Sequence, residues 1–273
     1  MRIKSVEAWW VSIPIETARQ HRSDFGTLTT FDAAILRIET DDGLVGWGEG
    51  KNAAGSAGQY GALVHLLNHE IAPLLIGRNA GDITAIWEML YNGVRPDQAA
   101  RAGHAMPQIA RRGLTVAAIS ALDIALWDIL GKHLNQPVWQ LLGGRKADRL
   151  PAYASGGWAN AAEIGAQLQS YIDIGGFRAV KMRVGSMDGA AHVSAARVKA
   201  ARAALGPGIE IAVDAHGTYS VGEAKRFAHL VRDCGLAWFE EPVIADDKPG
   251  MAEVRAFATM PRSAGESEAT RFD

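Results

Sequence analysis

Cysteine is almost absent from this sequence: Cys234 is the single one among 273 residues. One thiol excludes an intrachain disulfide framework and a cysteine-based zinc cluster, and it suits a reducing compartment. Charge of either sign is not in excess. The 28 Lys and Arg stand against 30 Asp and Glu, a formal net charge of -2, so no strong field favours DNA, RNA or an anionic membrane surface. Missing as well is any uninterrupted apolar run of about 18 residues, the length of a spanning helix. The amino-terminal MRIKSVEAWWVSIPIE alternates like a strand and lacks the long apolar run and cleavage site of a signal peptide. These absences set the expectation of a cytoplasmic protein with no nucleic-acid partner and no membrane contact. What the chain does have is 48% hydrophobic residues, enough for a sizeable core in one large domain or two ordinary ones.

Residues 1–50 hold runs rich in Val, Ile, Trp and Thr, with Asp41-Asp42-Gly43 between FDAAILRIET and LVGWGEG. This spacing predicts a β-hairpin within a small antiparallel meander. From about Ala57 apolar residues recur at helical spacing and predict helices over 58–75, 82–93 and 114–132, with Gly143-Gly144 as a stop beyond them. In the third helix Leu114, Ala118, Leu122, Ala125, Leu126 and Ile129 form one apolar stripe. The stripe predicts burial against another layer, with Asp123 and Asp128 as structural partners. After Pro151 the rhythm is strand, loop, helix: LPAYAS with 161–174, FRAVKMRV with 188–205, IEIAVDA with 220–234, LAWFEEP with 249–258, and then SAGES. Alternating βα units imply a parallel sheet, open or closed.

Three carboxylates end three consecutive predicted strands: Asp214 after IEIAV, Glu240 after LAWF and Glu266 after SAG, each 26 residues from the next. That interval is about one βα unit of an eight-fold barrel, so the three side chains converge on its carboxyl-terminal mouth. Crowded carboxylates repel, and a hard divalent cation relieves the repulsion; an all-oxygen donor set suits Mg²⁺, or Mn²⁺, rather than Zn²⁺. A lone strand-end acid is more often a helix cap or a solvated loop residue, and the regular triplet carries the reading. Glu241 and Glu268 exchange roles with their neighbours if the registers slip. Lys181 and Arg183 close the preceding strand on one side by alternation. Lys181 is a candidate for neutralising a substrate carboxylate or, with burial and a metal lowering its pKa, for acting as a base. Arg183 stays charged and binds anions. His216, two residues beyond Asp214, points toward the same site as a general acid or base.

These residues together resemble the enolase superfamily, in its mandelate racemase and muconate-lactonizing branch. TDDGLVGWGEG is similar to the family's capping-domain hairpin, and AISALDIALWDILGKHLNQPVWQLLGG to the helix that leads into its barrel. AVKMRVG, VDAHGTYS, WFEEP and AGES resemble successive barrel-strand motifs in the family's order. The resemblance implies an α/β fold with an α+β cap, residues 1–133 forming the cap and 134–273 a partial (β/α) TIM-type barrel. It implies Mg²⁺ on Asp214, Glu240 and Glu266, a small carboxylate substrate, removal of the α-proton through an enediolate, and assembly into a homo-oligomer. Lys181-Met182-Arg183 departs from the family's Lys-x-Lys, which disfavours racemisation, since that needs a base on each face of the substrate. His216 resembles the histidine of the branch's acid-sugar dehydratases, so dehydration of a sugar acid is the leading expectation. An epimerase or racemase, a cycloisomerase, and a non-catalytic fragment are the alternatives. HRSDFGTL corresponds to the family's substrate-closing loop, where Arg22 and Asp24 are candidates for binding hydroxyls.

The residues from Pro151 onward suffice for five strands, whereas an eight-fold barrel needs about 200 residues. The sequence-level expectation is an incomplete barrel with little activity of its own, exposing apolar surface and a free strand edge. MPRSAGES also lacks the apolar run of a buried parallel strand.

Overall fold

The computed structural model describes residues 1–20, 22–23, 26–51, 59–93 and 113–272. Two compact units divide it, Met1–Asp148 with Ala269–Asp273, and Arg149–Glu268.

In the first unit β1 (Ile3–Pro14), β4 (Thr30–Thr40) and β5 (Val45–Gly50) form an antiparallel sheet in the order β1-β4-β5. The turn at Asp41–Leu44 joins β4 to β5 as the Asp-Asp-Gly signal predicts, with Gly43 at φ +86°. Two short strands, β2 (Arg22–Ser23) and β3 (Gly26–Thr27), pair with each other. Asp24 lies outside the described residues, and of Arg22 only the main chain is described, paired with Thr27. Helical residues run from Tyr60 to Leu75, as α1 (Tyr60–His65), a π-helical turn (Leu66–Ile71) and α2 (Ala72–Leu75). That turn aims Asn68 at the outer edge of β1, where its amide accepts from Ala8 N–H at 2.8 Å and donates to Ala8 C=O at 2.9 Å. Helices α3 (Ile83–Asn92), α4 (Leu114–Leu134) and α5 (Val138–Leu141) follow among the described residues.

Val6, Ala8, Leu36 and Ile38 share one face of the sheet and are buried with Ala118, Leu122, Leu126 and Ile129 of α4. Each such large side chain contributes roughly 2 kcal/mol by leaving water. Contact between sheet and helix is unusually close because β5 offers glycine where α4 offers alanine. A Cβ on Gly48 would lie 1.9 Å from Ala121 O, and one on Gly46 would lie 2.2 Å from Ala125 O. The outer edge of β5 is capped by the same helix: Asp128 accepts Trp47 N–H at 2.9 Å and Lys132 donates to Val45 C=O at 2.7 Å. Among the described residues α4 alone is long and apolar enough to cross a membrane. Its position in the core, with Asp123, Asp128 and Lys132 breaking the run, accounts for that composition.

The second unit repeats strand and helix: β6 (Ala154–Gly156), α6 (Ile164–Gly175), β7 (Ala179–Arg183), α7 (Ala191–Leu205), β8 (Glu210–Asp214), α8 (Val221–Leu230), β9 (Leu236–Glu240), α9 (Lys248–Phe257) and β10 (Arg262–Ser263). All neighbours are parallel, in the order β10-β9-β8-β7-β6, because each helix returns the chain to the same end of the sheet. Val180, Met182, Ile211, Val213, Leu236 and Phe239 face the helices, packing with Leu168, Val198, Phe227 and Val254. The fold is thus an antiparallel α+β unit followed along the chain by a parallel α/β unit. One element departs from expectation. SAGES is not a strand: β10 is the two-residue Arg262–Ser263, and Glu266 sits in the turn that follows. Without an apolar run to bury, the chain holds its β-pairing only where it meets Phe239 and Glu240.

Candidate functional site

Alternation along the strands sends one set of side chains to the helices and the other set to the opposite face. On that opposite face the register lines up Arg183, Asp214, Glu240 and Ser263 across β7, β8, β9 and β10. The row ends at the carboxyl-terminal edge of the sheet, the end where ligands of parallel α/β folds bind.

Lys181 stands between two of the acids, 2.8 Å from Glu240 Oε1 and 3.1 Å from Asp214 Oδ2. Arg183 Nη1 lies 2.8 Å from Asp214 Oδ1. Trp238 Nε1 donates to Glu240 Oε2 at 3.0 Å, fixing the second oxygen of that carboxylate. Tyr153 packs edge-on against Trp238 and under the Lys181 ammonium, 5.8 Å from its ring centre. Burial is the largest influence on Asp214 and would raise its pKa. Arg183, the His216 N–H and Lys181 outweigh it and hold the carboxyl below the ordinary range. For Lys181 burial is again the largest influence and pulls the ammonium down, but the hydrogen bond to Glu240 and the charge of Asp214 win, and the net shift is upward. This direction is opposite to the lowered pKa expected of a lysine base from the sequence.

His216 follows β8 in the left-handed region, at φ +46°, where a non-glycine residue is strained. Its N–H donates to Asp214 Oδ1 at 3.0 Å, and its Nε2 lies 3.8 Å from Asp214 Oδ2 and 3.5 Å from Glu266 Oε2. Glu266 is the most open of these groups, its side chain 42% exposed. The ligating atoms of Asp214, His216 and Glu266 all lie within 4.8 Å of one another. Two carboxylates at that spacing, with Glu240 joined to Asp214 through the shared Lys181, fit a small hard cation in donor chemistry.

Glu241 and Glu268 take other partners. Glu241 is buried and turned away from Glu240, accepting the N–H groups of Gly265 and Glu266 at 3.3 and 3.1 Å. Glu268 pairs with Lys248. Sequence reasoning missed a buried polar network behind the row. Arg197, in mid-helix on α7, is 2% exposed and donates to the carbonyls of Gly157, Ala159 and Arg183 and to both oxygens of Asp188. Ser194 links that carboxylate to Tyr219, whose hydroxyl donates to Ser194 Oγ at 2.7 Å. The network ties the loops after β6, β7 and β8. Its only sequence signal is an arginine three positions after a serine on one helix, which reads as an ordinary polar face.

Residues 5–143 match the family model of the mandelate racemase / muconate lactonizing enzyme N-terminal domain, and residues 163–273 match an enolase C-terminal domain-like model. The chain is 32% identical over 277 residues to a D-galactarolactone cycloisomerase of Agrobacterium fabrum, covering 94% of this chain and 66% of that protein. It is 36% identical over 246 residues to a D-galactonate dehydratase of Klebsiella pneumoniae, covering 88% of this chain and 59% of that protein. It therefore spans about three-fifths to two-thirds of the length of these curated relatives. A crystal structure of a mandelate racemase/muconate lactonizing protein from Paracoccus denitrificans complexed with magnesium superposes with a TM-score of 0.76 at 31% identity, covering 98% of this chain and 65% of the other. With both halves of the chain matched in order, this protein belongs to the mandelate racemase/muconate lactonizing enzyme branch of the enolase superfamily.

Proposed function

We propose that these residues serve in a metal-dependent lyase that removes the proton next to the carboxylate of a sugar acid and then eliminates water. The observation that carries the reading is the convergence of Lys181, Arg183, Asp214, His216, Glu240 and Glu266 at one edge of the parallel sheet. Asp214, Glu240 and Glu266 would hold Mg²⁺, with Mn²⁺ as a substitute, and the bound ion supplies positive charge that grips and polarises the substrate carboxylate. Arg183 adds a permanent positive charge beside the same carboxylate. Lys181 is protonated while it holds Asp214 and Glu240. Its amine would accept the α-proton once released from those carboxylates. His216, beside Asp214 and Glu266, gives a proton to the departing β-hydroxyl.

Similarity to D-galactonate dehydratases supports the choice of dehydration. A second reading, cycloisomerisation, rests on the 32% identity to the D-galactarolactone cycloisomerase. The deciding experiment is calorimetric titration of Mg²⁺ into the protein and into Asp214→Asn, followed by a screen of sugar acids and their lactones with the unaltered chain. Saturable binding that the variant loses, with a 2-keto-3-deoxy acid as product, is the expected result. A cyclised or ring-opened isomer as product selects the second reading. Equal binding by both proteins, or none by either, rejects the cation site.

A further inference from the structure

Glu241 makes no contact with Lys181 or Arg183 among the described hydrogen bonds and ion pairs, yet it touches two of the loops that carry the site. Its main-chain N–H donates to Ser263 C=O at 2.9 Å, and its own C=O accepts Gly217 N–H at 2.7 Å. Oε1 accepts from Gly265 N–H at 3.3 Å and from Glu266 N–H at 3.1 Å. One residue thereby bonds to the loop beyond His216 and to the turn that presents Glu266, while following Glu240 in the chain.

The backbone shows how the side chain reaches there. An extended residue after Glu240 would project toward the helices, where Phe239, Val213 and Val254 make an apolar core that offers a carboxylate no partner. Glu241 instead adopts φ +37°, a left-handed conformation that a side-chain-bearing residue holds only when its surroundings enforce it. The twist breaks the strand alternation and delivers the carboxylate to two amides of the next loop. That loop has few ties of its own, since β10 is two residues long and the Glu266 side chain is exposed.

We propose that Glu241 is a positioning residue: its carboxylate clamps the Gly265–Glu266 amides and so sets Glu266 against His216 and Asp214, without itself touching substrate or cation. This rests on the function proposed above for what Glu266 does, but the clamp is testable without it.

The experiment is amide hydrogen exchange, read by mass spectrometry over residues 261–268, on the full chain and on Glu241→Gln, Glu241→Asp and Glu241→Ala. Val254→Ala, in the core of the same unit, is the control for general destabilisation. Gln keeps an acceptor oxygen at the same reach and is expected to stay within about threefold of the unaltered protein. Asp withdraws the acceptor and Ala removes it, so exchange at Gly265 and Glu266 is expected to rise about tenfold or more, the loss of charge-assisted bonds. Val254→Ala leaves that segment no faster than the rest of its unit. Mg²⁺ titration of the same proteins is expected to show about 10- to 100-fold weaker binding for the Asp and Ala variants. Unchanged exchange in Glu241→Asp overturns the proposal whether or not the cation binds. Faster exchange with no Mg²⁺ binding by any of the proteins upholds the clamp and rejects the cation site.

Discussion

Lys181 donates a 2.8 Å hydrogen bond to Glu240 from a side chain only 12% exposed. It also faces Asp214 at 3.1 Å, so the ammonium stands where a cation between the two carboxylates would compete with it. Lys181→Met is expected to lower stability by about 3 kcal/mol in metal-free buffer, because the buried Asp214 and the half-buried Glu240 lose a shared counter-charge. Mg²⁺ is then expected to raise the melting temperature of Lys181→Met more than that of the unaltered protein. Thermal unfolding with and without Mg²⁺ checks both; a variant insensitive to Mg²⁺ would separate these carboxylates from cation binding.

Gly48→Ala is expected to cost about 3 kcal/mol or to prevent folding, since its Cβ would lie 1.9 Å from Ala121 O, a main-chain atom that cannot swing aside. Gly43→Ala meets no atom within 4 Å and only the strain of φ +86°, about 1 kcal/mol. Urea unfolding of the two variants should give that order.

Asp123 supplies the pH dependence. Burial holds its carboxyl above the ordinary range, partly opposed by a hydrogen bond from Trp127. A carboxyl with a raised folded-state pKa favours the protonated form, so its contribution is fully present below the unfolded pKa near 4 and is lost as pH rises through the folded value. Asp123→Asn is therefore expected to be the more stable protein at neutral pH, with the advantage shrinking to nothing in acid below about pH 4. Denaturation midpoints measured across that range would contradict this if the advantage were the same at every pH.

Arg197→Met removes the donors for Gly157, Ala159, Arg183 and Asp188 together. Stranding the buried Asp188 carboxylate is expected to cost about 3–5 kcal/mol, and hydrogen exchange should quicken first in the loops after β6 and β7. Arg145→Met, which breaks an exposed pair with Asp148, is expected to change stability by less than about 1 kcal/mol.

Period-two alternation made the faces of β7, β8 and β9 readable: it placed Lys181 and Arg183 opposite Val180 and Met182, and Asp214 opposite Val213. The hairpin at Asp41–Leu44 and the long helix α4 were legible for the same reason, turn chemistry and helical spacing. Period says nothing where the backbone leaves a regular state. The left-handed turn at Glu241 leaves Glu240 facing Lys181, and it depends on bonds to a loop more than 20 residues away in the chain. Asn68 reaches β1 through a π-helical turn that a helical repeat does not reveal. Arg197 reads as a solvated helix position until the carbonyls of Gly157, Ala159 and Arg183 are seen around it. Glu266 reads from the sequence as a strand-end residue, whereas the chain there supports only two paired residues before turning.

The glycine-on-alanine contact between β5 and α4 also acts as a sieve on misfolding. Gly46, Gly48 and Gly50 alternate with Val45, Trp47 and Glu49, so sliding the strand by one position would drive Trp47 into the groove that now rejects even a methyl group. A hairpin paired one residue out of step has no surface on which the helix can seat, and it remains unconsolidated and free to reopen. Steric exclusion at Gly46 and Gly48 favours the single alignment in which this unit packs.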